Sequence, residues 1–313
     1  MKNIWVLAAL SAVAVILLAG CICSVNAQYS STQPQGLAYD GTYYYYITNT
    51  GIYKYDSNWK LVTANPNAAE QCGSLFDHIS ELGDGKVYNG VLYAIAVGGS
   101  TNDAYLGMWE TSNLNFIRSI NLAQVSGNPP TGAQSSASGV TVNPSANAFA
   151  VVSYGEAPPP QSNGIQGAIY LYDLTTFAYK GVISPSQTMW NSQGIDYYHG
   201  HYYVSADSDS QADQGNFSTG GVFMESTNGG GVTRIIPYSR FAYGGELQGL
   251  DVKSTGIRVV CGAYVYTFTA ASPYNLIQTV ELPTDLTQMP LTASNTTPVV
   301  NQSVIFTASL LKF

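Results

Sequence analysis

Short apolar runs separated by turn residues recur along residues 35–283 in a fixed order of four. Each group opens with a polar residue and a glycine, and these glycines lie at positions 36, 85, 139, 194 and 249, with spacings of 49, 54, 55 and 55 residues. Turn residues such as Asp40-Gly41 and Asn89-Gly90 follow the first run, and these dipeptides favour tight hairpins because both central residues need positive φ. Each group therefore predicts strands that pair in antiparallel order.

Every group continues with a second, a third and a fourth apolar run, and no stretch of helical 3.6-residue periodicity interrupts them. A single four-stranded sheet with two apolar faces cannot bury both, whereas sheets packed radially in a ring can. The pattern predicts an all-β chain, a five-bladed β-propeller of four-stranded antiparallel blades. A sixth blade is an alternative if Gln124–Ala137 forms a degenerate blade, although its Gly, Pro and Ser content favours a loop. A two-layer sandwich is the other alternative.

Each unit is complete in itself, so the pattern does not show how the ring closes. After residue 27 only Cys72 and Cys261 remain, and they fall in the first and last units. An even pair of cysteines in an exported protein favours a disulfide, whereas the alternative is two buried free thiols. We predict a possible bridge between Cys72 and Cys261 that joins the first and last blades.

Composition limits the partners. Only 10% of the 313 residues are charged, and 11 basic against 19 acidic residues give a net charge of −8. A chain with so few basic residues and no basic run lacks the electrostatic footprint of a nucleic-acid-binding protein. The hydrophobic content of 45% is too high for a disordered chain. No phosphate-binding glycine loop, nucleophile elbow or Cys-x-x-Cys metal pair is present, so we expect no cofactor.

Residues 1–27 have the pattern of a signal peptide or membrane anchor, with Lys2 before a long apolar run. Three interpretations remain open: cleavage after Ala27, lipidation at Cys21, and an uncleaved anchor helix near the length that spans a bilayer. All three place the rest of the chain outside the cytoplasm, in an extracellular or cell-surface location, with the membrane touched only by this segment. Residues 28–284 would then form the propeller.

Residues 285–313 break the period and form a linker with a partial domain. The segment 290–310 resembles the first two strands of an immunoglobulin-like domain, which occurs in tandem on surface proteins of archaea and some bacteria. Two strands cannot fold as a sandwich. The resemblance implies a truncated start of such a domain and agrees with a surface location.

Polar residues at the start of the first strands form the candidate ligand site. In a propeller these strands line the axis, so their first side chains should meet with those of the loops that precede them. Amides, carboxylates, an indole and an imidazole suit a sugar or a peptide, because they offer paired hydrogen bonds and an apolar stacking face. The expected site residues are Gln35, Asp77, His78, Asp84, Trp190, Gln193, Glu246 and Gln248, with Ser138 and Asn191 beside them.

Three other chemistries have candidate residues. Glu246, Asp77, Asp84 and His78 could supply a carboxylate pair or a carboxylate–imidazole pair for acid–base catalysis. Calcium is a weaker possibility in the acidic loop that contains Asp207, Asp209 and Asp213, which has hard oxygen ligands but not the spacing of an EF-hand. His199 and His201 flank a hairpin glycine, where exposed turn residues are more common than zinc ligands.

The stretches Gln35-Gly36-Leu37-Ala38-Tyr39-Asp40-Gly41 and Gln193-Gly194-Ile195-Asp196-Tyr197 resemble the blade-opening motif of extracellular propellers, among them glutamine cyclotransferases of the plant and bacterial type. That resemblance implies a five-bladed fold, and no catalytic residue is carried over because the sequence after Gly41 departs from the enzyme's pattern. Our leading hypothesis is a secreted or cell-surface propeller that binds a glycan or an extracellular protein without catalysis. The alternative is an extracellular cyclotransferase-like or glycan-cleaving enzyme that uses axial carboxylates.

Overall fold

The computed structural model describes residues 33–73, 79, 81–98, 103–130, 137–154, 167–208, 217–229 and 231–282. These ranges contain five four-stranded antiparallel sheets, each built from four consecutive strands. Blade 1 contains β1 (Pro34–Tyr39), β2 (Tyr44–Thr48), β3 (Ile52–Tyr55) and β4 (Leu61–Asn65), and blade 2 contains β5 (Glu81–Tyr88), β6 (Val91–Val97), β7 (Tyr105–Glu110) and β8 (Phe116–Asn121). Blade 3 contains β9 (Ala137–Asn143), β10 (Ala148–Ser153), β11 (Ile169–Asp173) and β12 (Tyr179–Ile183). Blade 4 contains β13 (Trp190–Tyr198), β14 (His201–Ser208), β15 (Gly221–Ser226) and β16 (Val232–Pro237), and blade 5 contains β17 (Leu247–Lys253), β18 (Gly256–Cys261), β19 (Tyr264–Phe268) and β20 (Leu276–Glu281).

Helix is confined to single 3₁₀ turns in the part of the chain that the structure describes. They span Ala69–Gln71, Pro144–Ala146, Phe217–Thr219 and Tyr238–Arg240. No helix in the described ranges is long and apolar enough to cross a bilayer. The predicted export segment 1–27 and the immunoglobulin-like segment in 285–313 lie outside the described residues, so both stay predictions.

Hairpin turns explain why consecutive strands pair. Asn89 and Gly90 have φ values of 51° and 78°, and His199 and Gly200 have 47° and 82°. Positive φ at both central residues matches the right-handed twist of the flanking strands, which is why this turn type joins antiparallel neighbours. His199 is therefore a turn residue and His201 is the first residue of β14, and the Nδ1 atom of His201 lies 3.1 Å from the backbone oxygen of His199.

Five apolar clusters fill the spaces between neighbouring blades and close the ring. Four of them lie between blades 1 and 2, 2 and 3, 3 and 4, and 4 and 5. The fifth joins blade 5 to blade 1, with Val260 and Val265 against Tyr46 and Tyr53. The first strands follow the same circle, because β1 contacts both β5 and β17. The predicted five-bladed propeller is confirmed, and the ring closes by side-chain packing between complete blades.

Aromatic side chains carry much of this packing. Trp109, Tyr45, Phe149 and Tyr266 are almost fully buried in these clusters. Burial of one such side chain stabilises the fold by roughly 1.5–3 kcal/mol. The Nε1 atom of Trp109 donates to Oε1 of Gln71 at 3.0 Å, so the indole is buried without losing its hydrogen bond.

The predicted disulfide does not form. Cys72 and Cys261 are both buried free thiols. Cys72 belongs to the cluster between blades 1 and 2, whereas Cys261 belongs to the cluster between blades 4 and 5. The two cysteines therefore face different interfaces, and burial raises the pKa of each thiol to about 12. The prediction was wrong because the first and last blades are neighbours, but neither cysteine lies in the interface between them.

Each first strand contains a β-bulge immediately before or at the motif glycine, where it has one residue more than the stretch of the second strand that pairs with it. The pairing register shifts by one residue between Pro34 and Gly36, and the other first strands show the same irregularity between residues 82 and 85, 137 and 139, 192 and 194, and 247 and 250. A bulge of this kind locally turns the strand and redirects one side chain. The repeated polar residue before the glycine is therefore the one whose direction the bulge controls.

The glycines are required because the first strands approach one another closely at the axis. A Cβ atom on Gly249 would lie 2.4 Å from Cα of Gly36, 2.5 Å from the backbone nitrogen of Leu37 and 2.6 Å from Oδ1 of Asp84. Two of those atoms belong to the backbone and cannot rotate away. The third belongs to a side chain that hydrogen bonds from several blades hold in place. Blade 5 can therefore reach blade 1 at this position only without a side chain.

We expect Gly249→Ala to destabilise the fold by about 3 kcal/mol or more, because the added methyl must push two blades apart. The measurement is the free energy of unfolding in urea. Gly41→Ala is the matched control: Gly41 has φ of 104°, and a Cβ atom added there would have nothing within 4 Å, so its cost is conformational only. That cost is about 1 kcal/mol. Equal losses for the two variants would contradict the crowding at the axis.

Candidate functional site

Asp84 lies at the centre of the axis, where blades 1, 4 and 5 meet. Its Oδ1 atom accepts the backbone N–H of Leu37 at 3.1 Å, and its Oδ2 atom accepts those of Ile195 and Leu250 at 3.2 and 3.1 Å. Each donor is the residue that follows a motif glycine. Burial raises the pKa of Asp84 well above its usual range, and the N–H groups of Leu250, Leu37 and Gly85 oppose that rise.

The position of Asp84 differs from the prediction that it belongs to the candidate ligand site. Asp84 was predicted to bind ligand, but its side chain is fully buried and its oxygens are occupied by backbone donors. It ties blades together instead. Asp77 and His78, which were expected near it, lie outside the described residues, so their predicted roles stay predictions.

Asp84→Ala should destabilise the protein by about 3 kcal/mol, since it leaves the N–H groups of Leu37, Ile195 and Leu250 buried without acceptors. Urea unfolding monitored by tryptophan fluorescence measures the change. Glu110→Ala, which removes an exposed carboxylate from the end of β7, is the control and should stay within about 0.5 kcal/mol of the parent. A loss for Asp84→Ala as small as that of the control would show that the carboxylate does not hold the blades.

Two carboxylate–amide pairs lie at the end of the axis where the first strands begin. Nε2 of Gln35 donates to Oε1 of Glu81, which joins blade 1 to blade 2. Nε2 of Gln248 donates to Oε2 of Glu246 at 2.9 Å, both of them at the start of blade 5. Burial raises the pKa of Glu81, and the charge of Glu246 adds to that rise. The two acids therefore lie close enough to repel each other.

Asp207 adds a third carboxylate beside this group. Its Oδ1 atom accepts the backbone N–H of Leu247 at 2.9 Å, and the side chain of Asn191 also hydrogen-bonds to it. Burial raises the pKa of Asp207 to about 7, the N–H of Leu247 opposes the rise, and the charge of Glu246 adds to it. We call Gln35, Glu81, Asp207, Glu246 and Gln248 the acidic mouth.

Several buried polar atoms near the acidic mouth have no hydrogen-bond partner among the described residues. They are Nε1 of Trp190, Oδ1 of Asn191 and Oε1 of Gln248. Trp190 is 2% exposed and Gln248 is 4% exposed, so bulk water does not satisfy these atoms. A buried polar atom without a partner costs about 1–3 kcal/mol, and such atoms in native proteins are commonly explained by an ordered water or a ligand.

Ser138 was also expected beside the candidate ligand site, and it joins two blades instead. Oγ of Ser138 donates to the backbone oxygen of Ser192 at 2.5 Å, which joins blade 3 to blade 4. Gln193 is buried, and its backbone oxygen lies 3.0 Å from the position of a Cβ on Gly139. The structure thus brings Gln35, Glu246 and Gln248 together, with Trp190 and Gln193 at the start of the neighbouring blade.

Sequence reasoning missed Glu81 and did not place Asp207 in the candidate ligand site. Glu81 lies four residues before the motif glycine of blade 2, and Glu246 lies three residues before that of blade 5. A search for acids just ahead of each first strand would have found both. Asp207 was considered only as a ligand of a weakly supported calcium loop, whose other acids Asp209 and Asp213 lie outside the described residues. Among described residues no group of three His, Cys, Asp or Glu side chains is arranged to hold a metal.

The opposite end of the axis carries a compensated ion network. Nζ of Lys86 lies 2.6 Å from Oδ1 of Asp196 and 3.7 Å from Oδ1 of Asp251, and Arg258 and Lys253 also contact Asp251. Burial lowers the pKa of Lys86, but the two carboxylates outweigh it and the pKa is raised. Asp196 further accepts from Oγ1 of Thr141 at 2.8 Å. The charged side chains link blades 2, 4 and 5, the hydroxyl of Thr141 adds blade 3, and each of the two carboxylates has a cationic partner.

Comparisons with known proteins show no family for this chain. No protein-family model matches the chain, and no curated protein does either. Similar solved structures include a nidogen–laminin complex, with a TM-score of 0.48 and 12% identity over 77% of this chain and 78% of that one. A hypothetical selenium-binding protein from Sulfolobus tokodaii has a TM-score of 0.44 and 10% identity over 77% and 59%. The designed protein Ika8 has a TM-score of 0.37 and 11% identity over 80% and 62%.

The chain spans about three fifths of the Sulfolobus protein and of Ika8. At such low identity a structural likeness concerns the fold alone. The assignment of the fold therefore rests on the order of the strands and on the five interfaces between blades.

The raised pKa of Asp207 predicts how stability depends on pH. An unfolded aspartate titrates near 4 and the folded one near 7, so the folded state binds more protons between these values and stability falls as pH rises from about 4 to about 7. Above 7 both states are ionised and this contribution is constant. Asp207→Asn should remove the part of the pH dependence that Asp207 causes, as measured by the free energy of unfolding in urea at several pH values. A second carboxyl titrates in the same window, because burial also raises the pKa of Glu225 to about 7.

Adding Glu225→Gln to Asp207→Asn should remove a further part of this pH dependence, and the raised pKa values of Asp84 and Glu81 leave a remainder of the same sign. Glu225 is fully buried, and neither of its carboxylate oxygens has a hydrogen-bond partner among the described residues. A parent protein whose stability rises between pH 4 and 7 would contradict the raised pKa values of both residues.

Proposed function

We propose that this protein is a secreted or cell-surface propeller whose acidic mouth binds a glycan or an extracellular protein without catalysis. The observation that carries the proposal is the paired arrangement of Gln35 with Glu81 and of Gln248 with Glu246 at one end of the axis. A carboxylate and an amide side by side present several acceptors and a donor in fixed positions, which suits the hydroxyl groups of a sugar or the N–H groups of a peptide.

Two further features support this function over a purely structural one. The unpaired Oε1 of Gln248 is buried beside a carboxylate that is itself exposed, so an incoming ligand can reach Glu246 and cover the amide. The stabilising contacts of the fold lie elsewhere: at Asp84, at the ion network and in the five apolar clusters. The acidic mouth instead contributes three carboxylates, of which Glu246 repels the other two, and a fold retains such an arrangement more readily where a ligand uses it.

The location outside the cell is proposed from the sequence. Residues 1–27 support export, and the immunoglobulin-like pattern in residues 290–310 supports a location on a cell surface. Neither segment is needed for the geometry of the acidic mouth, which is formed wholly within residues 35–248.

A glycan and peptide array probed with the full chain tests the proposal. We expect Glu246→Gln to weaken the binding of array ligands by about tenfold or more, since an acceptor with full charge becomes a neutral amide. Glu110→Gln is the matched control, because it makes the same change on an exposed residue at the end of a third strand. Binding that ignores Glu246→Gln would place the ligand elsewhere.

A catalytic role is the second candidate, and one observation favours it. Burial and the charge of Glu246 raise the pKa of Glu81, so one of two neighbouring carboxyl groups has an increased affinity for a proton. A raised pKa on one carboxyl group is typical of the general acid in glycan-cleaving enzymes, and a cyclotransferase-like activity would use a carboxyl group similarly. Product analysis of every ligand bound on the array separates the two: unchanged ligands support binding, and cleaved or cyclised products would overturn the non-catalytic proposal.

A further inference from the structure

The unpaired atoms at the acidic mouth are mostly acceptors, and this restricts the ligand. Carboxylates have no donor, so the amide of Gln248 must turn its Nε2 toward Oε2 of Glu246, 2.9 Å away. Its Oε1 is then left as a buried acceptor without a partner, as is Oδ1 of Asn191. Among described residues the one buried side-chain donor without a partner is Nε1 of Trp190.

Charge restricts the ligand in the same direction. None of the ion pairs between described residues involves Glu81, Asp207 or Glu246. The charge that acts on both Glu81 and Asp207 is that of Glu246, which adds to the effect of burial in raising the pKa of each. At the opposite end of the axis, by contrast, Asp196 and Asp251 have lysine or arginine partners. The negative charge of the acidic mouth is therefore not balanced by a cationic side chain among the described residues.

We infer that the acidic mouth binds a ligand through a protonated primary amine, held by Glu246, Gln248 and Glu81. This inference rests on the proposed function and names the chemistry of its ligand. An ammonium group has three N–H donors and one positive charge, so it supplies both things that the site lacks. A phosphate, a sulfate or a uronic acid would bring more acceptors and more negative charge.

A divalent cation fits the site less well. Described residues contain no set of three His, Cys, Asp or Glu side chains that is arranged around a common point, as a calcium or zinc ion requires. An ammonium group needs only hydrogen-bond acceptors in different directions. Two sources supply that group: the lysine side chain of a peptide and the amino group of a deacetylated amino sugar.

Acetylation of the amine gives a matched pair of probes for each source. Isothermal titration of the full chain at low salt would compare a lysine-containing peptide with its ε-acetylated form, and a glucosamine hexamer with its N-acetylated form. We expect the free amine to bind about tenfold or more tightly than the acetylated probe in one pair, because acetylation removes the charge and two of the three donors. The pair that shows this preference identifies the source.

Variants tie the preference to the site. Glu246→Gln should reduce the preference for the free amine to near unity, and Glu81→Gln should reduce it as well. Glu110→Gln should leave it unchanged, which separates a built site from attraction to a chain with net charge −8. A preference that persists in Glu246→Gln would overturn the inference.

The other outcomes separate this inference from the proposed function. Equal binding of free and acetylated probes that is lost in Glu246→Gln would overturn the amine and keep the acidic mouth as a ligand site. Binding of none of the four probes, with array ligands still sensitive to Glu246→Gln, would have the same meaning. Absence of any ligand sensitive to Glu246→Gln would overturn both.

Discussion

The close approach of five backbones at one axis is the constraint on which the structure depends. Each blade brings its first strand inward, and the motif glycines remove the side chains that would keep the strands apart. Such proximity buries N–H groups of several blades beside one another. The carboxylate of Asp84 supplies their acceptor, and it serves donors from three other blades at once. A buried acid that would ordinarily destabilise a fold is here hydrogen-bonded by the groups it satisfies.

The two ends of the axis differ in whether their carboxylates have cationic partners. At one end Lys86, Asp196, Asp251 and Arg258 neutralise one another, so this network serves cohesion between blades. At the other end the carboxylates of the acidic mouth have amide partners but no cation among the described residues. The same fold thus separates a charge cluster that is complete in itself from one that a ligand can complete, and only the second is a candidate for recognition.

Periodicity predicted the fold well because strands, hairpins and motif glycines are local features. The turn at Asn89-Gly90 and the glycine spacing follow from backbone requirements that a sequence displays directly. The candidate site was predicted only in part. Gln35 and Gln248 each pair with a glutamate where the first strands begin, but Asp84 is buried at the axis, although residues at the same position in the other blades are Gln or Ser. Which of five equivalent side chains fills the axis depends on the shape of the whole ring, and no single blade encodes it.

Dependence on the shape of the whole ring also explains why the predicted disulfide between Cys72 and Cys261 was wrong. Their units are neighbours in the ring, yet a disulfide needs two particular Cβ atoms within a few ångströms. Each cysteine instead packs into a different apolar cluster. Glu81 was missed for the opposite reason: it lies just outside the repeated motif, where the five units stop resembling one another and where features particular to one blade appear.

Closure of the ring has a consequence for how the chain can be cut. Every blade takes its four strands from one continuous stretch, and blade 1 meets blade 5 through side chains such as Tyr46 and Val260 with no shared β-sheet. Any connection between two blades is therefore topologically equivalent to the existing seam. A circularly permuted chain that begins at another blade would keep all five sheets intact. The fold therefore does not depend on which blade comes first in the chain.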